Sequence, residues 1–204
     1  MRYAATHKDE TRKALLIAAG RQLRALGPDR VAVAAVMKSA GLTHGGFYAH
    51  FKSKDSLLAE ALVAIFGASK RRMMRMLEGL PPKHALATYI DFYVAPRHRD
   101  DPAHGCPITA LSSDMPRQSK KFRATFETGV TSLSAHLAKL MAEAGIAHAD
   151  KLAPSILAAM AGAVALARTI SDATLSDELL ASTRAGIKAR LGLTETALAE
   201  EPVP

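Results

Sequence analysis

The sequence predicts an all-α fold, and three observations carry that prediction. Aromatic residues make up only 5% of the 204, and no stretch alternates apolar and polar with a period of two, so strands have little to build on. Apolar side chains recur instead at three- and four-residue spacings. Glycines and prolines at 27, 28, 41, 79, 81, 82, 96, 145 and 192 punctuate those stretches.

Taken in order, the elements number about nine. Residues 8–26 put Ala14, Leu15, Ala18, Ala19, Leu23 and Leu26 on one stripe, with Asp9 and Glu10 placed to open a helix and Gly27 to close it. Residues 33–40 form a short second helix ending at Gly41, and Thr43 is placed to cap a third over HGGFYAHF. Ser53 caps a fourth that runs to about Leu77, past the basic cluster Lys70, Arg71, Arg72 and Arg75, which is expected to be a solvated face. A fifth covers 83–96 and stops at Pro96; 97–105 is a polar loop. Short and long helices follow over 107–113, 117–144, 150–170 and 176–191, and the tail from Thr194 is expected to fray.

Composition narrows the function. Hydrophobic residues at 49% and charged residues at 23% are ordinary for a globular chain. One cysteine excludes a disulfide framework and a cysteine-based zinc site. A scan for apolar runs finds none near the ~18 residues of a membrane span, and the polar first residues carry no secretory signature, so a cytoplasmic protein is expected. Residues 1–60 hold 10 bases against 5 acids, a net +5 of the chain's +8, which suggests a polyanion partner for that segment. No phosphate loop, dinucleotide fingerprint or catalytic constellation appears; no enzyme, cofactor or metal is expected.

Two short helices joined by Gly41-Leu42-Thr43 match a helix-turn-helix, whose second member enters the major groove. The string VMKSAGLTHGGFYAHFKSKDSLL, residues 36–58, resembles the DNA-binding domain of the TetR (tetracycline repressor) family. The matching positions are Ala40, Gly41, Thr43, Gly46, Tyr48, His50, Phe51, Lys54 and Leu57, and the resemblance covers about residues 8–60. Ala32 departs from it, standing where a Ser or Thr usually caps the second helix, and Met37 replaces a usual alanine. The resemblance implies a three-helix DNA-binding domain over 1–58 and a helical ligand-binding and dimerisation domain over 59–204. It also implies that Tyr48, His50 and Lys54 clamp the DNA backbone.

Physical chemistry adds further candidates. Gly45 and Gly46 let the backbone approach DNA, and Thr43 can reach a phosphate. His44 and Phe47 are candidates for base edges, Lys38 for a further contact, and Phe51 for the small domain's core. Small residues from Ala158 to Ala165 suit close helix packing, so Leu157, Met160, Ala161, Val164, Leu180 and Ile187 are expected to line a dimer interface. The resemblance implies that these helices pair into a four-helix bundle. Met73, Met76, Tyr89, Phe92, Tyr93, Cys106, Met115, Phe122, Phe126 and Met141 are candidates for an effector pocket, since such side chains line adaptable apolar sites. Cys106 stands before Pro107 at a helix start with positive neighbours, so either a sensor thiol or a structural one is open. Its GCP context resembles a subgroup that responds to electrophiles and drugs. The expected function is a homodimeric, sequence-specific repressor, released from a palindromic operator by a small apolar or electrophilic effector.

Overall fold

The computed structural model describes residues 2–199, the side chains of 2–7 and of His44 excepted. The α-helices are α1 (Arg2–Leu26), α2 (Val33–Ser39), α3 (Lys54–Leu77), α4 (Pro82–Tyr93), α5 (Pro96–Asp100), α6 (Pro107–Leu111), α7 (Lys120–Glu143), α8 (Ala149–Ala167), α9 (Ala173–Arg190) and α10 (Glu195–Ala199). Short 3-10 helices cover His44–Ala49, Pro102–His104 and Met115–Arg117. The described residues contain no strand.

Several differences from the sequence reading have local causes. The third helix is a 3-10 turn rather than an α-helix, in keeping with two adjacent glycines that favour no regular helix. The first helix begins at Arg2, so Asp9 and Glu10 lie in its interior. Pro96 begins a helix rather than merely ending one, because its missing N–H costs nothing at the first helical position. The tail from Thr194 contains α10, and residues 200–204 lie outside the described residues. One helix among the described residues, α8, is long and apolar enough on average to cross a membrane, with 19 residues and a mean hydropathy of 1.4, although Asp150 and Lys151 interrupt its apolar run; part of it is buried in the fold.

Contacts divide the chain into two compact units, Met1–Ala68 with Pro102–Gly129 and Ser69–Asp101 with Val130–Pro204. This division differs from the boundary the sequence led us to expect at 58/59.

In the first unit Leu15, Ala19 and Leu23 of α1 are fully buried with Met37 of α2 and Leu57, Ala61 and Leu62 of α3. Arg12 pairs with Glu60 of α3 and lies over the Phe51 ring, 4.7 Å from its centroid. The segment from Pro102 to Gln118 packs on α1: Arg24 donates to the Ala103 carbonyl at 2.7 Å, and Gln118 donates to the Asp29 carboxylate at 3.2 Å.

The second unit is built on α8 packed against α9. Asp172 caps α9, accepting from the amides of Thr174 and Leu175 at 2.8 and 3.1 Å. Cationic side chains of these two helices grip carbonyls at the end of α4 and in α5. Arg184 donates to Val94 O at 2.7 Å, and Arg168 to His98 O and Arg99 O at 2.8 and 3.0 Å. Arg99 in turn donates to Ser176 Oγ at 2.8 Å and the Asp177 carboxylate at 2.5 Å.

Candidate nucleic-acid interface

The interface is set by how the short elements lock together. Ala32 precedes α2 with no side-chain cap, in keeping with its lack of a hydroxyl. At the turn, Gly41 takes φ +72°, a conformation costly for any residue with a β-carbon, and its amide bonds Lys38 O at 3.0 Å. Leu42 N bonds Met37 O at 3.0 Å, so the chain reverses within three residues of α2. Thr43 is extended, as an N-cap residue should be, yet its hydroxyl makes no capping bond; its carbonyl instead accepts from Gly46 N at 3.1 Å. The hydroxyl's expected capping role is therefore not realised.

Inside the 3-10 turn the two aromatics part company. Tyr48 is 74% exposed, its ring edge-on to Phe47 at 5.3 Å. Phe47 is 3% exposed and packs 5.8 Å from the equally buried Phe51. Phe51 is thus a core residue, as expected. Phe47 is one as well, which corrects its assignment to a base edge: a ring sealed in the core cannot reach a thymine methyl.

The other candidates are distributed over the surface of α2, the turn and the start of α3. Lys38, Thr43 and Gly45 are exposed, Gly46 is half-buried against Met37, and the side chain of His44 lies outside the described residues. His50 is half-buried with Nδ1 buried and unpartnered among the described residues. Lys54 opens α3, where Ser53 Oγ caps by accepting from Ser56 N at 3.1 Å. The Lys54 ammonium donates to Asp29 O at 3.1 Å, which ties the α1–α2 turn to the start of α3. Two positioning residues escaped the sequence reading: Arg12, on the Phe51 ring, and Gln118, on Asp29. Neither carries a local signal, since both act on partners far away in sequence.

The expected dimer residues Leu157, Met160, Ala161, Val164, Leu180 and Ile187 are 0–9% exposed within the single chain and serve its core, so the outward faces of α8 and α9 are formed mainly by other residues. The expected effector residues divide between the units. Cys106, Met115, Phe122 and Phe126 are buried in the first; Met73, Tyr89, Tyr93 and Met141 are buried in the second, with Met76 and Phe92 half-buried there. Cys106 holds the N-cap position of α6 without a side-chain capping bond. An open cleft of about 370 Å³ in the first unit is lined by Leu16, Ala59, Glu60, Val63, Ala64 and Thr125, none of them in the expected set.

Buried His98 is a titratable group strongly altered by its surroundings. Burial first, then the charges of Arg168, Arg72 and Arg97, lower its pKa to about 4, against the opposing hydrogen bond to Tyr93. Its Nδ1 donates to the Tyr93 carbonyl at 2.6 Å, and its ring meets the Tyr93 ring edge-on at 4.7 Å.

Comparison with known proteins completes the assignment. Residues 15–61 match the family described as bacterial regulatory proteins, tetR family, and residues 82–177 match the C-terminal domain of LmrA/YxaF-like transcriptional regulators. No curated protein matches the chain. Among solved structures, the reduced form of Escherichia coli NemR superposes with a TM-score of 0.76 at 20% identity, over 88% of this chain and 96% of that one. A TetR-family regulator from Cytophaga hutchinsonii gives 0.75 at 18% identity, over 90% and 96%. A TetR regulator from Chloroflexus aurantiacus gives 0.72 at 24% identity, over 92% and 97%. With the helical fold, the helix-turn-helix geometry and both sequence matches in agreement, the chain belongs to the TetR family of DNA-binding transcriptional regulators.

Proposed function

We propose that this regulator is a homodimeric repressor that binds a palindromic operator and leaves it when a small apolar or electrophilic molecule binds. The observation that carries the reading is the split within the turn and its flanking helices. Met37, Phe47 and Phe51 are locked in the core, while Lys38, Thr43, Gly45 and Tyr48 stand exposed around them. That is a rigid platform with donors outward, suited to phosphate clamping by Tyr48, His50 and Lys54 and to groove contact along the glycine-rich turn. Reading occupies residues 1–58, and sensing and dimerisation occupy 59–204, in a cytoplasmic protein.

The outward faces of α8 and α9 support dimerisation. They carry Ala158, Ala159, Gly162 and Leu166 on one helix, and Leu175, Ser182, Ala185, Gly186 and Ala189 on the other. Leu166 and Leu175 are 58% and 54% exposed, and a β-carbon at Gly162 or Gly186 would meet nothing within 4 Å. Small side chains beside open space allow the backbones of a second copy to approach closely. Two copies would place two reading heads on half-sites about one helical turn apart.

The segment that holds Cys106 supports the effector reading. It lies in the same unit as the reading head and is tied to it by Arg24 and Gln118. Modification or ligand binding near α6 therefore acts directly on the supports of α1 and of the α1–α2 turn. The effector shifts the equilibrium only by its differential affinity for the two states.

Selection from a random duplex library with purified protein tests the reading. A recovered palindrome supports it and provides the operator for titration with N-ethylmaleimide and apolar drugs, using Cys106→Ser as the control. No enriched motif from folded protein refutes it.

A further inference from the structure

The phenyl ring of Phe92 on α4 is shared by two guanidiniums. Arg72 of α3 lies 4.7 Å from its centroid and Arg97 of α5 lies 4.3 Å from it, both within cation–π range. The two charged carbons are therefore at most about 9 Å apart. Both side chains are exposed, and among the described residues neither has a carboxylate within ion-pair distance. The nearby acids are engaged elsewhere: Asp91 holds Lys188 and Arg184, and Asp100 holds Arg99. Arg75, about one turn further along α3 from Arg72, adds to the same positive field, again without a carboxylate partner among the described residues. Arg168 adds a further charge acting on the neighbouring His98.

This arrangement runs against ordinary surface design, where opposite charges are interspersed. Stacking on the ring fixes where each guanidinium sits while leaving its N–H fork unused. Each positioned, unspent fork offers the parallel N–H donors that bind an oxyanion bidentately. We propose that Arg72 and Arg97, held by Phe92, form a binding site for a small organic or inorganic oxyanion, a carboxylate or a phosphate, in the second unit. The site draws only on residues of that unit and does not depend on the repressor reading.

The test is calorimetric titration of the full-length protein with salicylate, with inorganic phosphate and with neutral salicylamide. At least one of the two anions binds saturably, and salicylamide does not; which anion binds distinguishes a carboxylate from a phosphate ligand. Arg72→Gln and Arg97→Gln each weaken that binding at least tenfold, and Arg97→Lys, which keeps charge but not the fork, falls between. The exposure of both side chains keeps these variants folded, checked by an unchanged melting temperature without ligand. Absence of saturable binding by either anion overturns the site, as does equal binding in the Gln variants. A patch that serves duplex DNA instead would show in the same variants as a flatter salt dependence of non-specific DNA affinity with no small-anion binding, which also overturns it.

Discussion

The ring of Phe66 on α3 occupies the space where a β-carbon at Gly129 on α7 would stand. The same ring meets Phe126 edge-on at 5.6 Å, so it is held from two positions one helical turn apart on α7. The contact is available only because residue 129 has no side chain. Gly129→Ala is expected to lower stability by about 1–3 kcal/mol through overpacking, even though alanine is the better helix former. Thermal denaturation checks it, and Phe66→Leu in the same chain should restore part of the loss; additive losses would show that the two positions are not coupled.

Phe47 and Tyr48, neighbours in sequence, should respond to substitution in opposite ways. Phe47→Ala empties a core position and is expected to cost about 3–5 kcal/mol of stability. Its effect on DNA binding then tracks the folded fraction. Tyr48→Phe leaves the melting temperature alone and weakens binding to all duplexes alike. A Phe47→Ala protein that stays fully folded and changes base preference would place Phe47 at a base edge after all.

Lys38→Ala tests the electrostatic part of the interface. Removal of one phosphate-neutralising charge is expected to reduce the slope of log affinity against log salt by about 1. Filter binding at several salt concentrations measures it, and an unchanged slope removes Lys38 from the backbone contacts.

The exposed faces of α8 and α9 predict the behaviour of Ala159→Glu. The substitution adds a charge to an exposed position, so the monomer fold is retained, but burial of that charge against a second copy is costly. Light scattering after size exclusion should show monomers where the parent chain shows dimers. Leu157→Ala, by contrast, should lower the melting temperature, because Leu157 is buried within the chain.

His98 makes stability depend on pH. Its folded pKa of about 4 lies below the ordinary 6.5 because burial disfavours the imidazolium. Below pH 6.5 the unfolded chain takes up a proton that the folded chain refuses. Stability from this group is therefore complete above pH 6.5 and is lost as pH falls toward 4, by an amount of order 3 kcal/mol at about 1.4 kcal/mol per pKa unit. His98→Gln should be less stable than the parent at pH 7.5, with the gap narrowing at pH 4.5 in urea denaturation.

The helices were legible because apolar spacing and glycine stops act locally, and so was the reading head, whose motif spans contiguous residues. What lay beyond the sequence was which face of an apolar helix turns inward. In AAMAGAVALA nearly every position is apolar, so periodicity cannot separate the core face of α8 from its outward face. Its larger side chains suit a partner surface as well as a core, and here the core holds them. Phe47 failed for a related reason: in the 3-10 turn it pairs with Phe51, and two adjacent aromatics give no sign of which one is sealed. The grip of Arg24 and Gln118 joins residues 79 and 89 positions apart, a separation no local pattern encodes.

The unit that contains the reading head is discontinuous in the chain, drawing on Met1–Ala68 and again on Pro102–Gly129. During synthesis the head cannot make its last internal contacts until residue 129 has left the ribosome, although its helix-turn-helix emerged long before. A graft of the first sixty residues onto another protein would carry the motif but leave behind Ala103 and Gln118, two of its supports. The head is thus a poor module for exchange by simple fusion, and swaps of specificity are better made one exposed side chain at a time.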